Sequence, residues 1–428
     1  MHYLKIKLKE LSFYQILITY FGFLLIVSLP AIYYVILYVE TSPNLINDEN
    51  QIILKNLKFD YGSLLNNLYY NNSYVQKLKN FDLDFHLARM PFYPVLLWSL
   101  SKISLNFYFI FFSKNLLTFS LLFFCVFIFL KNIDKTLLSL ILFLGLFIYN
   151  PYNLHILFSL DFADTIISIL FPLVLLFGLN RDFKYFFILP LIIFILYLTK
   201  SSMWFFCIFF SIIYFFIKYY RNSSKFEIKY ITPILSVICA ILIWGFFGLN
   251  KSNYFPIGTS ISSTNTYYLN SIMNKKFNNT YPQQSVDILI DRKFDFKKFN
   301  NEYEFHLFFK KKNFEFIKNN SRYYFEGIKK KVNFIFYGIK KDGNFNKKVD
   351  KIRFSNIPNK LFMNFALIFA VVYLFLNFKK KNVDLEMIYL SMFIFYLPPY
   401  LIAWATTKHL VPLFLLSKVY LLLKLLRA

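Results

Sequence analysis

Glycine, cysteine and arginine are scarce in this chain of 428 residues, with ten, three and seven of each. So few glycines leave no Walker loop, no Rossmann fingerprint and no nucleophile elbow, the usual devices for a soluble nucleotide-linked donor or an activated serine. Cys125, Cys207 and Cys239 are scattered through apolar segments without C-x-x-C spacing. Neither a disulfide framework nor a thiolate zinc site is indicated, and the three read as packing residues. No internal repeat and no Gly/Pro linker divides the chain. The scarcity of arginine singles out Arg89, which stands in DFHLARMPFYPVLLW before two spaced prolines, in a protein that otherwise takes its positive charge from lysine.

Apolar and aromatic residues are what the chain has in excess, at 57% and 22%. A helix needs about 20 apolar residues to cross a bilayer. Runs of that character occur near 13–39, 91–105, 106–131, 136–158, 160–179, 185–199, 202–218, 230–249, 359–378, 385–405 and 409–426. So many runs separated by short charged loops predict an all-α polytopic membrane protein. The first run is too long for a signal-peptide core and lacks a small-residue cleavage site, so it reads as a retained helix. The net charge of +25 accompanies a general excess of Lys, Asn, Ile, Phe and Tyr, residues of A/T-rich codons. It reads mainly as solubilising and orienting charge, and no nucleic-acid partner is inferred from it.

The positive-inside rule decides the one ambiguous run. If 91–105 lies along the interface, Lys131 and Lys135, Arg181 and Lys184, Lys218 to Lys229, Lys379 to Lys381, and Lys424 with Arg427 all fall on the side of the basic N-terminus. If it spans, the sorting is lost. The expectation is ten transmembrane helices with both termini cytoplasmic and an interfacial helix in the first outer loop. Three parts follow: an N-terminal transmembrane catalytic module over 1–249, a basic outer loop over 250–358 after the seventh helix, and a C-terminal three-helix module over 359–428. The outer loop carries 21 Lys or Arg against 9 Asp or Glu; its aromatic, amphipathic stretches suit either headgroups and substrate or a solvated face.

Ionisable residues at membrane depth are costly and mark function. In this topology they gather at the outer face. Asp48 and Glu49 follow the first helix, and His86 and Arg89 precede the prolines. Asp161 and Asp164 enter the fourth helix in SLDFAD, three residues apart on one helical face, where they read as site residues or as a helix cap. Lys200 ends the fifth helix in LTKSS, and Lys408 and His409 open the last in TKHLVP. Lys200 and Lys408 also read as snorkelling anchors. Carboxylates beside cations at the lip of a bilayer suit transfer of a group from a lipid phosphate. The guanidinium fork of arginine reaches two phosphate oxygens at once.

These short motifs, in this order and on one side, resemble the GT-C superfamily of integral membrane glycosyltransferases. The nearest branch is the bacterial one similar to protein O-mannosyltransferases and aminoarabinose transferases. The matching elements are the acidic pair Asp48-Glu49, ARMPFYP, SLDFAD, LTKSS, TKHLVP, and GTSISSTNTYYL in place of the family's Ser/Thr and Gly turn. Lys200 and Lys408 stand where the family more often has arginine, and His409 where it has an aromatic.

The resemblance implies an inverting transferase that draws on a polyprenyl-phosphate-linked sugar at the periplasmic face of a bacterial inner membrane. It makes Asp48 the general base on a glycan, lipid or protein acceptor, with Glu49 orienting it. Arg89, Lys200 and Lys408 would hold the donor phosphate. Asp161 or Asp164, with His86 and His409, would bind acceptor or sugar, or position a cation. Some relatives use a divalent metal, for which Asp48, Glu49, His86 and His409 supply donor atoms without any metal-motif spacing. Two other readings are a flippase or transporter of lipid-linked or anionic solutes, and an envelope-polysaccharide polymerase or ligase. Transporters usually show repeated halves with broken helices, which this sequence does not.

Overall fold

Away from water a backbone can satisfy its N–H and C=O groups only within its own segment, so the apolar runs form helices. The structure, a computed structural model, describes residues 5–41, 62–77, 83–148, 157–158, 163–179, 187–221, 227–263, 266, 299–337, 356–378, 383–402 and 407–427. Among the described residues six helices are long and apolar enough to cross a membrane, making this an all-α membrane protein. In order the helices are α1 (Phe13–Thr41), α2 (Gly62–Asn71), α3 (Phe92–Ile103), α4 (Phe107–Asn132), α5 (Leu137–Ile148), α6 (Asp164–Leu179), α7 (Ile188–Thr199) and α8 (Met203–Arg221). They continue with α9 (Ile228–Ser252), α10 (Glu302–Asn319), α11 (Ser321–Phe336), α12 (Asn356–Asn377), α13 (Asp384–Tyr396), the short α14 (Pro398–Ile402) and α15 (Val411–Arg427). Two-residue strands, β1 (Gln76–Lys77) and β2 (Asp84–Phe85), pair antiparallel before α3.

Helix α6 is the centre of the bundle. All of its sixteen residues are buried, the pattern of a helix that is hydrophobic all round. Helices α4, α7, α13 and α15 pack around it, so the last helices of the chain lie directly on the first block. The outer helices face lipid instead: only 17% of the apolar stretch of α1 and 28% of that of α12 is buried within the protein.

The run at 91–105 is a separate helix. Twelve residues of α3 rise about 18 Å, short of the roughly 30 Å of hydrocarbon. Ser104 is extended, and Asn106 caps α4, its Oδ1 accepting from the Tyr108 N–H at 2.8 Å and the Phe109 N–H at 3.3 Å. Pro91 stands at the cap of α3 and Pro94 in its first turn, where a missing N–H costs nothing. Helix α2 lies on α3, with Trp98 Nε1 donating to Leu68 O and Lys102 Nζ to Tyr69 O, each at 3.1 Å.

Charges mark the two ends of the bundle. At one end Lys7 pairs with Asp134 at 2.9 Å, Lys135 Nζ donates to Leu426 O at 2.5 Å, Lys218 faces Asp384 at 3.8 Å, and Lys424 pairs with the fully buried Glu386. At the other end lie the residues described next. The 385–405 run is interrupted at Leu397, between α13 and α14; Leu397 keeps helical dihedrals, and the break is in hydrogen bonding, since Pro398 and Pro399 have no N–H to donate.

Candidate functional site

Two helix ends bring an acid and a base together. Asp164 is the first residue of α6, where the N-terminal partial charge favours a carboxylate. Lys200 follows the last residue of α7, in extended backbone. Lys200 Nζ lies 2.7 Å from Asp164 Oδ1, with side-chain exposures of 23% and 4%. The same ammonium sits 5.6 Å from the ring centre of Tyr400, on α14. Tyr400 is a hinge of the cluster: its hydroxyl bonds Ser202 Oγ at 2.9 Å, and its ring lies against His409 at 4.7 Å. His409 is buried, and its carbonyl accepts from the Tyr396 hydroxyl at 2.8 Å. Segments of SLDFAD, LTKSS and TKHLVP therefore meet around one tyrosine.

A turn after α9 connects this cluster to the Arg89 loop. Asn253 ends α9 with φ of 55°, a left-handed conformation that asparagine tolerates better than most residues, and the chain folds back on its own helix. Gly245 and Gly248 make room for it. A Cβ on Gly245 would lie 2.0 Å from the Phe255 ring, and one on Gly248 2.3 Å from Pro256 Cδ and 2.8 Å from the Tyr254 carbonyl oxygen. The returning segment is held by Tyr197 Oη donating to Ile257 O at 2.5 Å and Trp244 Nε1 donating to Gly258 O at 2.8 Å. Gly258 thereby lies beside Ser201 and Trp204, next to Lys200.

Glu302 ties the far side of that turn. Its carboxylate, buried at the start of α10, accepts from the Leu87 N–H at 2.9 and 3.2 Å, the His86 N–H at 2.9 Å, Ser252 Oγ at 3.0 Å and Ser260 Oγ. The Ser260 N–H also donates to Leu87 O at 3.0 Å. Burial raises the Glu302 pKa above the usual carboxylate value, against the opposing pull of Ser260, Leu87, Ser252 and His86. One turn on, His306 Nδ1 is 3.1 Å from both Ser260 O and Ser263 Oγ, and burial lowers its pKa. Tyr74 fixes the other edge of the loop, its hydroxyl donating to the Arg89 carbonyl at 2.9 Å. Arg89 thus sits on a short loop clamped from three directions, and the helix that follows it, α3, packs on α7, whose last residue precedes Lys200.

Of the site residues expected from sequence, Arg89, His86, Asp164, Lys200 and His409 are described. Asp48, Glu49 and Asp161 lie outside the described residues. The backbone of Lys408 is described, in the 3-10 turn Thr407–Leu410, but its side chain is not. Asp164 joins Lys200, while the ring of His86 turns away to Tyr74 O at 3.2 Å. Among the described residues no group of three or more His, Cys, Asp or Glu side chains is placed to hold a metal ion. Glu302, Tyr400, Ser202 and His306 were not expected. Glu302 had one signal, an Asn-Glu helix start in an otherwise basic loop; Tyr400 had only the double proline before it.

Comparison of the chain with models of known protein families, with curated protein sequences and with solved structures gives no match.

Proposed function

We propose that the chain is an inverting glycosyltransferase of GT-C type. It moves a sugar from a polyprenyl-phosphate donor to an acceptor hydroxyl at the outer face of a bacterial inner membrane. In this reading ten helices span, both termini are cytoplasmic and α3 lies along the outer leaflet. The observation that supports it is the convergence of Asp164, Lys200, Tyr400 and His409 at the end of the bundle to which the 257–263 turn and the Arg89 loop are tied.

The chemistry follows from the residue types. Asp48 takes the proton of the acceptor hydroxyl, and the oxygen attacks the anomeric carbon from the face opposite the phosphate. The bond from that carbon to the phosphate oxygen breaks, and the lipid phosphate leaves with the negative charge. Arg89 receives two of its oxygens, with Lys200 and Lys408 adding point charges. Asp164 positions Lys200, and no step is assigned to a metal.

The test is transfer by the full chain in proteoliposomes, using polyprenyl-phosphate sugars and acceptor extracted from a deletion strain. Asp48→Asn is expected to abolish transfer and Arg89→Ala to raise the donor KM. Transfer by Asp48→Asn near the wild-type rate removes Asp48 as the base. Wild-type movement of a labelled lipid-linked sugar across the bilayer without transfer would favour the flippase reading.

A further inference from the structure

Helix α11 has two unlike faces. Gly327, Lys331 and Ile335, four residues apart, are buried. Lys331 Nζ donates to the carbonyls of Leu401 at 2.9 Å and Ile402 at 3.5 Å, capping the end of α14. Lys360 Nζ, on α12, donates to Phe334 O at 2.6 Å and lies 4.6 Å from the Phe334 ring centre. Asn364 Nδ2 donates to Phe336 O at 3.0 Å, and the Phe336 ring stacks on Phe393 at 6.2 Å.

Those partners fix the depth of the helix. Lys360 and Asn364 lie within the candidate span Pro358–Asn377, and Phe393 and Leu401 within Asp384–Ile402. Leu401 and Ile402 end their span and Lys360 stands near the start of its own, so Lys331 is level with the edge of the hydrocarbon, while the Phe336 end of α11 reaches further in, to Asn364 and Phe393. An amphipathic helix held at that level faces the headgroup region.

The opposite face carries Arg322, Phe325, Lys329, Lys330 and Tyr337, all exposed, the two aromatics at 64% and 79%. Glu326 is the one acid of this face and sits 3.5 Å from Arg322. Lys329 and Lys330 adjoin Lys331 at the level of the headgroups, with Arg322 and Phe325 outside them and Tyr337 on the hydrocarbon side, and cations flanked by aromatic rings have the composition of an interfacial anchor. Basic side chains near the surface draw anionic rather than zwitterionic lipid.

We propose that the outward face of α11 binds anionic phospholipid headgroups, Lys329 and Lys330 taking the phosphate and Tyr337 entering the boundary layer. Through Lys331 the same helix holds α14, which carries Tyr400, so bound lipid steadies the cluster around Lys200. This inference stands whether or not the chain is a transferase.

The test is thermal unfolding of the purified full chain in neutral detergent, with phosphatidylglycerol or phosphatidylcholine added in equal amounts. Phosphatidylglycerol is expected to raise Tm by several degrees more than phosphatidylcholine, and added salt to shrink the difference. The variant Lys329→Ser/Lys330→Ser should keep the wild-type Tm in phosphatidylcholine and lose at least half of the phosphatidylglycerol increment. Lys329→Arg/Lys330→Arg should retain it. An increment unchanged in the serine variant, or lost equally in the arginine variant, overturns the proposal. So does the same increment from inorganic phosphate alone, which would mean a free-anion site.

Discussion

Lys200 Nζ stands 2.7 Å from Asp164 Oδ1 at the N-terminal end of the fully buried central helix. Removing one member of such a pair strands the other in a poorly solvated place. Asp164→Ala is expected to cost about 3 kcal/mol, the low end of the range for a broken buried pair because the lysine keeps some exposure. The double variant Asp164→Leu/Lys200→Met should recover most of that loss while abolishing activity. Thermal unfolding of the wild type, Asp164→Ala, Asp164→Leu, Lys200→Met and the double variant in one detergent checks it; a loss in the double variant equal to the sum of the Asp164→Leu and Lys200→Met losses would show that the two charges are not coupled.

The close return of the chain over α9 makes two glycines unequal. A Cβ on Gly245 meets first the tip of the Phe255 ring, a side chain 40% exposed, whereas one on Gly248 meets Pro256 and the Tyr254 backbone. Gly248→Ala is therefore expected to destabilise by about 1 to 3 kcal/mol, and Gly245→Ala by less. Limited proteolysis at 254–263 should report the same order, because displacing Pro256 loosens the turn that carries Gly258 and Ser260.

Much of this was legible in the sequence, and the physical reason differs by element. The boundaries of α4, α9 and α12 follow from apolar length, which the bilayer dictates, and α3 and α4 were already legible as two runs, 91–105 and 106–131. Asp164, Lys200 and His409 were picked out because charge and polarity are rare at that depth. That Asp164 faces Lys200 needed the structure, since local spacing says nothing about contacts between helices. Glu302 was hidden for the same reason: its donors, Leu87, Ser252 and Ser260, are from 42 to 215 residues away. Tyr400 is one of 33 tyrosines, and the two prolines before it say nothing of the partners it meets.

Lys331 gives a pH dependence with a definite sign. Burial pulls its pKa from 10.5 down to about 8. The unfolded chain then binds more protons than the folded one between those values, so stability rises with pH across about 8 to 10.5 and is lost on acidification through that window. Lys331→Met should flatten this part of the profile. Denaturant midpoints measured from pH 7.5 to 10 check it; a slope unchanged in the variant would assign the titration elsewhere.

Glu302 supplies the converse case and links stability to the proposed donor site. Its folded pKa is raised, so its contribution is present below the unfolded value and lost as pH rises through the folded one. Glu302→Gln should remove that slope, but an amide nitrogen cannot accept from the Leu87 N–H or the serine hydroxyls, so the clamp on the Arg89 loop weakens. Trypsin should then cleave after Arg89 faster than in the wild type, with the released peptide identified by mass spectrometry. In transfer assays the donor KM should rise about tenfold, roughly 1.4 kcal/mol, with kcat little changed, because Glu302 acts through the position of Arg89 rather than on reacting atoms. A fall in kcat at constant KM would place Glu302 in the chemical step. Faster cleavage with both constants unchanged would separate the loop from donor binding while leaving the clamp intact as structure.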